Sequence, residues 1–353
     1  MIKLPKLKSV FAFLACIFIT SINLYAQTVY VSSWDGLNSA LNSAETSITF
    51  TSGTIVYSSG LPTIGYTDPI GFYADVTLNG NNAYLLFSFS SASVNFNNNI
   101  NFINGVFNSS GGAIYTSNSS NINFKSSSVN FMSNTATYGG GIYASNSSDI
   151  NFISAMINFT SNTATTYGGA IVSSNSHITI ENSTAVFYGN RATSYSGGAV
   201  YLNVGSIATF KDSNINFTNN TSYHGGAIFI SSNSNINVEN STVAFAGNSA
   251  RWYAGAIEAN GSNINFTSST VSFTGNAGPS YAGAISANAS NINFTNSTVD
   301  FTGNTAREPA SLTFGGAISA SGSNINFTNS TVNFISNISS SGGAISGGSS
   351  NIT

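Results

Sequence analysis

Residues 111–142 read GGAIYTSNSSNINFKSSSVNFMSNTATYGGGI. The stretch opens and closes on the same glycine-rich signature, and between the two it holds NINF from Asn121 and a Phe-x-x-Asn from Phe131. Within each piece apolar and polar residues alternate, as in Ile122 and Phe124 against Asn123 and Lys125. That two-residue period belongs to a strand with one buried face. The unit therefore reads as three short strands, GGAI, NINF and a piece ending in Phe-x-x-Asn, with no helical pattern among them.

The unit repeats. Gly-Gly-Ala-Ile or a close variant begins at Gly111, Gly139, Gly168, Gly197, Gly225, Ala254, Ala282, Gly315 and Gly342, at intervals of 27 to 33 residues. Phe-x-x-Asn begins at Phe131, Phe159, Phe187, Phe217, Phe245, Phe273, Phe301 and Phe334. A three-strand unit cannot bury its apolar side alone, but it can when each strand pairs with its equivalent in the coils above and below. The expected fold is all-β: a parallel β-helix, or solenoid, of about 28 residues and three strands per coil. Like residues then stack on like. Phe131 through Phe334 form an interior column, Asn134 through Asn337 a ladder of side-chain amides at a turn, and the glycine pairs supply corners with positive φ.

Three regions follow. Residues 1–26 read as a signal peptide, with Lys3, Lys6 and Lys8 ahead of an apolar run from Val10 to Ile19 and Ala26 at the cleavage point. Residues 27–110 read as an N-terminal cap and irregular first coils. There SSWDGLNSALNSAE places Trp34, Leu37, Leu41 and Ala44 at helical spacing behind Ser33 as N-cap, predicting a short helix that covers the open first coil. Residues 111–353 are the regular repeats, which stop at Thr353 inside a coil and are expected to be truncated.

Composition narrows the chemistry. Only 5% of the 353 residues are charged, and the sole cysteine, Cys16, lies in the signal segment, which excludes disulfides and cysteine-zinc sites from the mature chain. Beyond the signal, five basic residues face eleven acidic ones, and no basic patch for nucleic acid is expected. Aligning coils on NINF puts Lys125, Ile153, Glu181, Lys211 and Glu239 in one outward column, with Asp212 beside it. The column reads as a charge-compensating Glu-Lys-Glu ladder. A pair of acids on a polysaccharide lyase or glycoside hydrolase is the alternative. His177 and His224 fall in different parts of the coil and are expected as solvated side chains, not a metal pair. No catalytic, cofactor or metal site is assigned.

Two features point to a partner. The residue after each GGAI is Tyr115, Tyr143, Val172, Tyr201 and Phe229, then Glu258 and serines, predicting an exposed aromatic stripe that binds sugar or protein. The second is FTGNTAREPASLTFGGAI, residues 301–318, the longest version of the loop between Phe-x-x-Asn and the glycine pair. It holds Arg307 and Glu308, and the same loop in other coils holds Arg191, His224 and Arg251, so this edge tolerates insertion and polarity and is an expected partner-contact loop.

GGA[ILV] alternating with FxxN at this spacing resembles the passenger region of the polymorphic outer membrane protein family, first described in chlamydiae, over residues 111–346. The resemblance implies a right-handed parallel β-helix of the pectin-lyase-like kind, exported by the signal peptide to the outer membrane, the cell surface or the medium. It also implies a C-terminal autotransporter barrel, absent from this sequence, as the only route to membrane contact. The expected function is that of a non-catalytic adhesin or structural surface protein with no cofactor, its partners a host or matrix protein or a glycan.

Overall fold

In the computed structural model the described residues are 28–43, 45–51, 53–65, 68–307 and 313–353. The signal segment with Cys16, and also Ala44 and Glu308, lie outside them. Every strand pair is parallel, and each strand pairs with its counterpart one coil away. The NINF segments build a first sheet of 13 strands, from Thr28–Val31 to Asn351–Ile352. The Phe-x-x-Asn segments build a second of 11, from Thr54–Val56 to Thr331–Ile335, and the GGAI segments a third of 11, from Thr63–Ile64 to Ile345–Gly348. Register follows the repeat: Asn121, Ile122 and Phe124 lie beside Asp149, Ile150 and Phe152.

The structure adds a fourth sheet that the sequence presented as a loop. It has six strands, from Val106–Ser110 to Ser249–Ala250, in the connection between Phe-x-x-Asn and the glycine pair. Beyond Ala250 it continues, among the described residues, as single bridges, Ser249 to Ala277 to Thr305 to Ile338. Pro279 lies beside that line and has no N–H to give a ladder.

The core is the set of columns. Phe131, Phe159, Phe187, Phe217, Phe245, Phe273 and Phe301 stack at centroid separations of 4.5 to 5.0 Å and lie within 10° of parallel. Rings of the first sheet meet them edge-on, as Phe124 meets Phe131 at 84° and Phe152 meets Phe159 at 87°. Offset stacking along a column and edge-to-face contact across it both suit the ring quadrupole.

The asparagine column is a buried hydrogen-bond ladder. Asn190 donates through its backbone N–H and its Nδ2 to Oδ1 of Asn220, at 2.9 and 3.0 Å, and also through Nδ2 to the Phe159 carbonyl at 2.8 Å. The same set recurs from Asn134 to Asn337, so a fully buried amide uses both its donors and both acceptor lone pairs. Two serine ladders do comparable work and went unread in the sequence. Ser206 N–H donates to Ser234 Oγ at 3.1 Å, and Ser213 N–H to Ser241 Oγ at 3.0 Å.

The corners also explain their composition. Two residues join each first-sheet strand to the second-sheet strand that follows, and the first of them, Ser126, Ser154, Asn182, Asp212, Asn240, Ser268, Asn296 or Asn329, has φ between 48° and 53°. Short polar side chains tolerate that left-handed conformation best after glycine. At the other end of the chain, helix α1 (Trp34–Asn42) forms as expected. Ser33 accepts the Gly36 N–H at 3.2 Å, and Leu37, Ala40 and Leu41 are buried in the same core, next to the first strand.

Candidate functional site

The corner between the fourth and third sheets carries two aromatic ladders. One is the expected stripe after GGAI, in which Tyr115 stacks on Tyr143 at 5.8 Å and Tyr201 on Phe229 at 5.4 Å. The other consists of the residue just before each glycine pair. Here Tyr138 stacks on Tyr167 at 5.8 Å, His224 on Tyr253 at 4.9 Å, Tyr253 on Tyr281 at 4.4 Å and Tyr281 on Phe314 at 5.9 Å. This second ladder was missed in the sequence, although its signal is plain: an aromatic or histidine precedes the pair at Tyr138, Tyr167, His224, Tyr253, Tyr281 and Phe314.

The second ladder changes the exposure of the first. Val172 is buried, Tyr201 is only 9% exposed, and Tyr115, Tyr143 and Phe229 are half-buried, where an open stripe was expected. The glycine corner turns the chain back on itself, so rings five residues apart meet: Tyr138 leans on Tyr143 at 6.4 Å. Where Val172 leaves room, the Tyr167 ring comes down onto Tyr201 at 4.4 Å. Burial, and then the neighbouring Tyr115 and Tyr138 hydroxyls, raise the Tyr143 phenol above its ordinary pKa.

The covering fails at one end. The residue before Gly111 is Ser110, which has no ring to lay over Tyr115, and among the described residues the fourth sheet has no strand before Val106–Ser110. A groove of about 730 Å³ opens there, with Leu61, Tyr84, Phe107, Tyr115 and Tyr143 as its apolar walls and Ser145 and Asn146 as polar groups. Phe107 is 40% exposed. Several aromatic edges with a few fixed polar groups form the lining of a ligand-binding cleft.

At the point where the stripe gives way to polar residues, Glu258 is 7% exposed beside a smaller hollow bounded by Tyr253 and Tyr281. Burial raises its carboxyl pKa, against the lowering effect of His224 and the Gly225 backbone. His224 is half-buried here and not the solvated side chain expected, because it is a rung of the second ladder.

The charged column of the first sheet is in register as expected, with Glu181 beside Lys211 and Lys211 beside Glu239. Lys211 Nζ lies 3.3 Å from Glu181 Oε1, and that hydrogen bond raises the lysine pKa. His177 on the same sheet pairs with Asp149 at 2.9 Å. Arg307 is exposed on the fourth-sheet edge, while its neighbour Glu308 lies outside the described residues.

Among known families, the Chlamydia polymorphic membrane protein repeat matches residues 156–174, 214–231 and 298–321. Each match runs from the strand that carries Phe-x-x-Asn past the fourth-sheet edge and the glycine corner to the end of the third-sheet strand. No curated protein and no solved structure matches the chain. The chain is thus a parallel β-helix in which three coils match the Chlamydia polymorphic membrane protein repeat, and the same columns of Phe, Asn and Gly run through its other coils.

Proposed function

We propose that the chain is displayed at a cell surface and acts there as a non-catalytic adhesin or structural surface protein, gripping its partner in the groove beside Tyr115 and Tyr143. The repeat family and the β-helix fold suit a surface protein. The observation that supports a binding role is the groove itself, the place where the aromatic corner is left uncovered. A protein or glycan partner would cover the Phe107 and Tyr115 edges and gain the apolar area they now leave in water.

The test is binding of the full chain to an array of glycans and host matrix proteins, alongside the Tyr115→Ser/Tyr143→Ser variant. A loss of binding of about tenfold or more is expected for two aromatic truncations at a contact. Unchanged binding removes the groove from the function. Depolymerisation of a polysaccharide that depends on Glu181 or Glu239 would overturn the non-catalytic part.

A further inference from the structure

All the arginines of this chain lie on one face. Arg191, Arg251 and Arg307 each sit on the outer side of the fourth-sheet edge, and each is exposed. They are two coils apart in turn, following Asn190, Asn248 and Asn304 of the ladder. At the spacing of stacked strands two coils are about 10 Å. Arg251 and Arg307 each come third after their ladder asparagine, whereas Arg191 comes directly after its own and stands in the column of Thr221 and Ser249, so it is set to one side of the other two along the same edge.

The three cations line surface hollows. Arg191 and Arg251 line one hollow of about 370 Å³ with Thr193, Thr221 and Tyr223, and Arg307 lines the next, of about 270 Å³, with Pro279. None of the ion pairs among the described residues involves an arginine. The Arg251 guanidinium instead donates to the Tyr223 hydroxyl at 2.9 Å and lies over that ring at 5.1 Å, both neutral partners that hold the fork in place. Among the described residues the acids of the same coils are elsewhere: Glu181 and Glu239 on the first sheet, Asp212 at the corner that follows it, Asp300 on the second, and Glu258 buried beneath the other corner, while Glu308, next to Arg307 in the sequence, lies outside the described residues. Next to Arg251, Trp252 is 49% exposed, and Tyr195, two coils away on the same edge beyond Tyr223, is 53% exposed.

We propose that this edge binds a linear anionic polysaccharide, its carboxylate or sulfate groups taken by Arg191, Arg251 and Arg307 and a sugar ring resting on Trp252. Guanidinium forks match planar oxyanions and hold them with charge-assisted bonds. Three cations at successive steps along one edge fit a polymer that carries several charges along its length. The indole supplies an apolar face for the carbon side of a pyranose, which a purely electrostatic site lacks. Among the described residues the acids outside this edge repel such a polymer and the arginines attract it.

The experiment titrates the full chain with heparin, polygalacturonate, dextran and polyglutamate at low and at physiological salt. Binding to heparin or polygalacturonate that weakens with salt is expected, and the stronger of the two identifies sulfate or carboxylate as the group recognised. Arg191→Ala, Arg251→Ala and Arg307→Ala should each weaken it about threefold to tenfold, and the triple variant should abolish it. Arg251→Lys should fall between, since it keeps the charge and loses the fork. Trp252→Ala should weaken the glycans and leave any polyglutamate binding unmoved. Tyr115→Ser/Tyr143→Ser should leave this binding intact, which separates the edge from the groove. Full binding by the triple variant, equal binding of dextran, polyglutamate bound as tightly as the glycans, or no binding to either anionic glycan at low salt overturns the proposal.

Discussion

Oε2 of Glu258 lies 3.3 Å from Nδ1 of His224, one coil away, and makes no hydrogen bond of its own. The carboxyl is therefore buried against an imidazole instead of being solvated, and its pKa is raised chiefly by burial. In the unfolded chain the same group ionises at its ordinary value of about 4.5. Between that value and the higher native one the folded chain binds more protons than the unfolded chain, so stability falls as pH rises through this window. Urea midpoints measured across pH should show that decline in the unmodified chain. Glu258→Gln should flatten it, because a neutral amide has no proton to lose; an unchanged pH profile in that variant would show that the decline arises elsewhere.

The asparagine ladder should be far more sensitive to substitution than its sequence simplicity suggests. Asn220→Ala leaves the backbone N–H and Nδ2 of Asn190 without their acceptor and removes the donors to the Phe187 and Asn248 oxygens. Two or more buried groups left unsatisfied should cost about 3 kcal/mol or more. Asn265→Ala breaks a similar-looking bond to Asn237 on the half-exposed outer face, 3.0 Å long, where water replaces the lost partner. That change should cost less than about 1 kcal/mol. Equilibrium urea denaturation of the two variants provides the comparison.

The two glycines of a corner should also differ. A Cβ on Gly226 would meet the Gly255 carbonyl of the next coil and the Ser249 carbonyl at 2.6 Å, backbone atoms with no room to yield. Gly225 has φ of +58°, and its added Cβ would meet only its own coil near Ile228. The chain itself places alanine at the first position, at Ala254 and Ala282, and neither has a positive φ there. The first position can thus adapt by changing its backbone, whereas the second is pinned between coils. Gly225→Ala should cost about 1 to 2 kcal/mol, and Gly226→Ala clearly more, as read from thermal or urea unfolding.

The coil was legible because each column repeats a residue that pairs with its own copy. Phe131 to Phe334, Asn134 to Asn337 and the glycine pairs could be read as stacked without knowing any angle. The serine ladders were equally repetitive, and Ser206 or Ser213 was hidden only by the abundance of serine around it. The fourth sheet was not legible, since Thr135–Tyr138 and its kin are short and vary in length from coil to coil. Nor was the state of the candidate site. Tyr201 and Glu258 stand at positions that alternate outward, and alternation alone predicts exposure.

The sequence by itself determined the architecture, because parallel stacking of identical coils turns a linear period directly into neighbours in space. Only the tertiary structure decided which outward residues meet solvent. The glycine corner folds Tyr138, Tyr167 and their successors over the stripe, and that direction is set by backbone geometry and not by residue type. The same geometry leaves Tyr115 beside an open groove where Ser110 has no ring to cover it, and brings three arginines, scattered over 117 residues of sequence, onto a single edge.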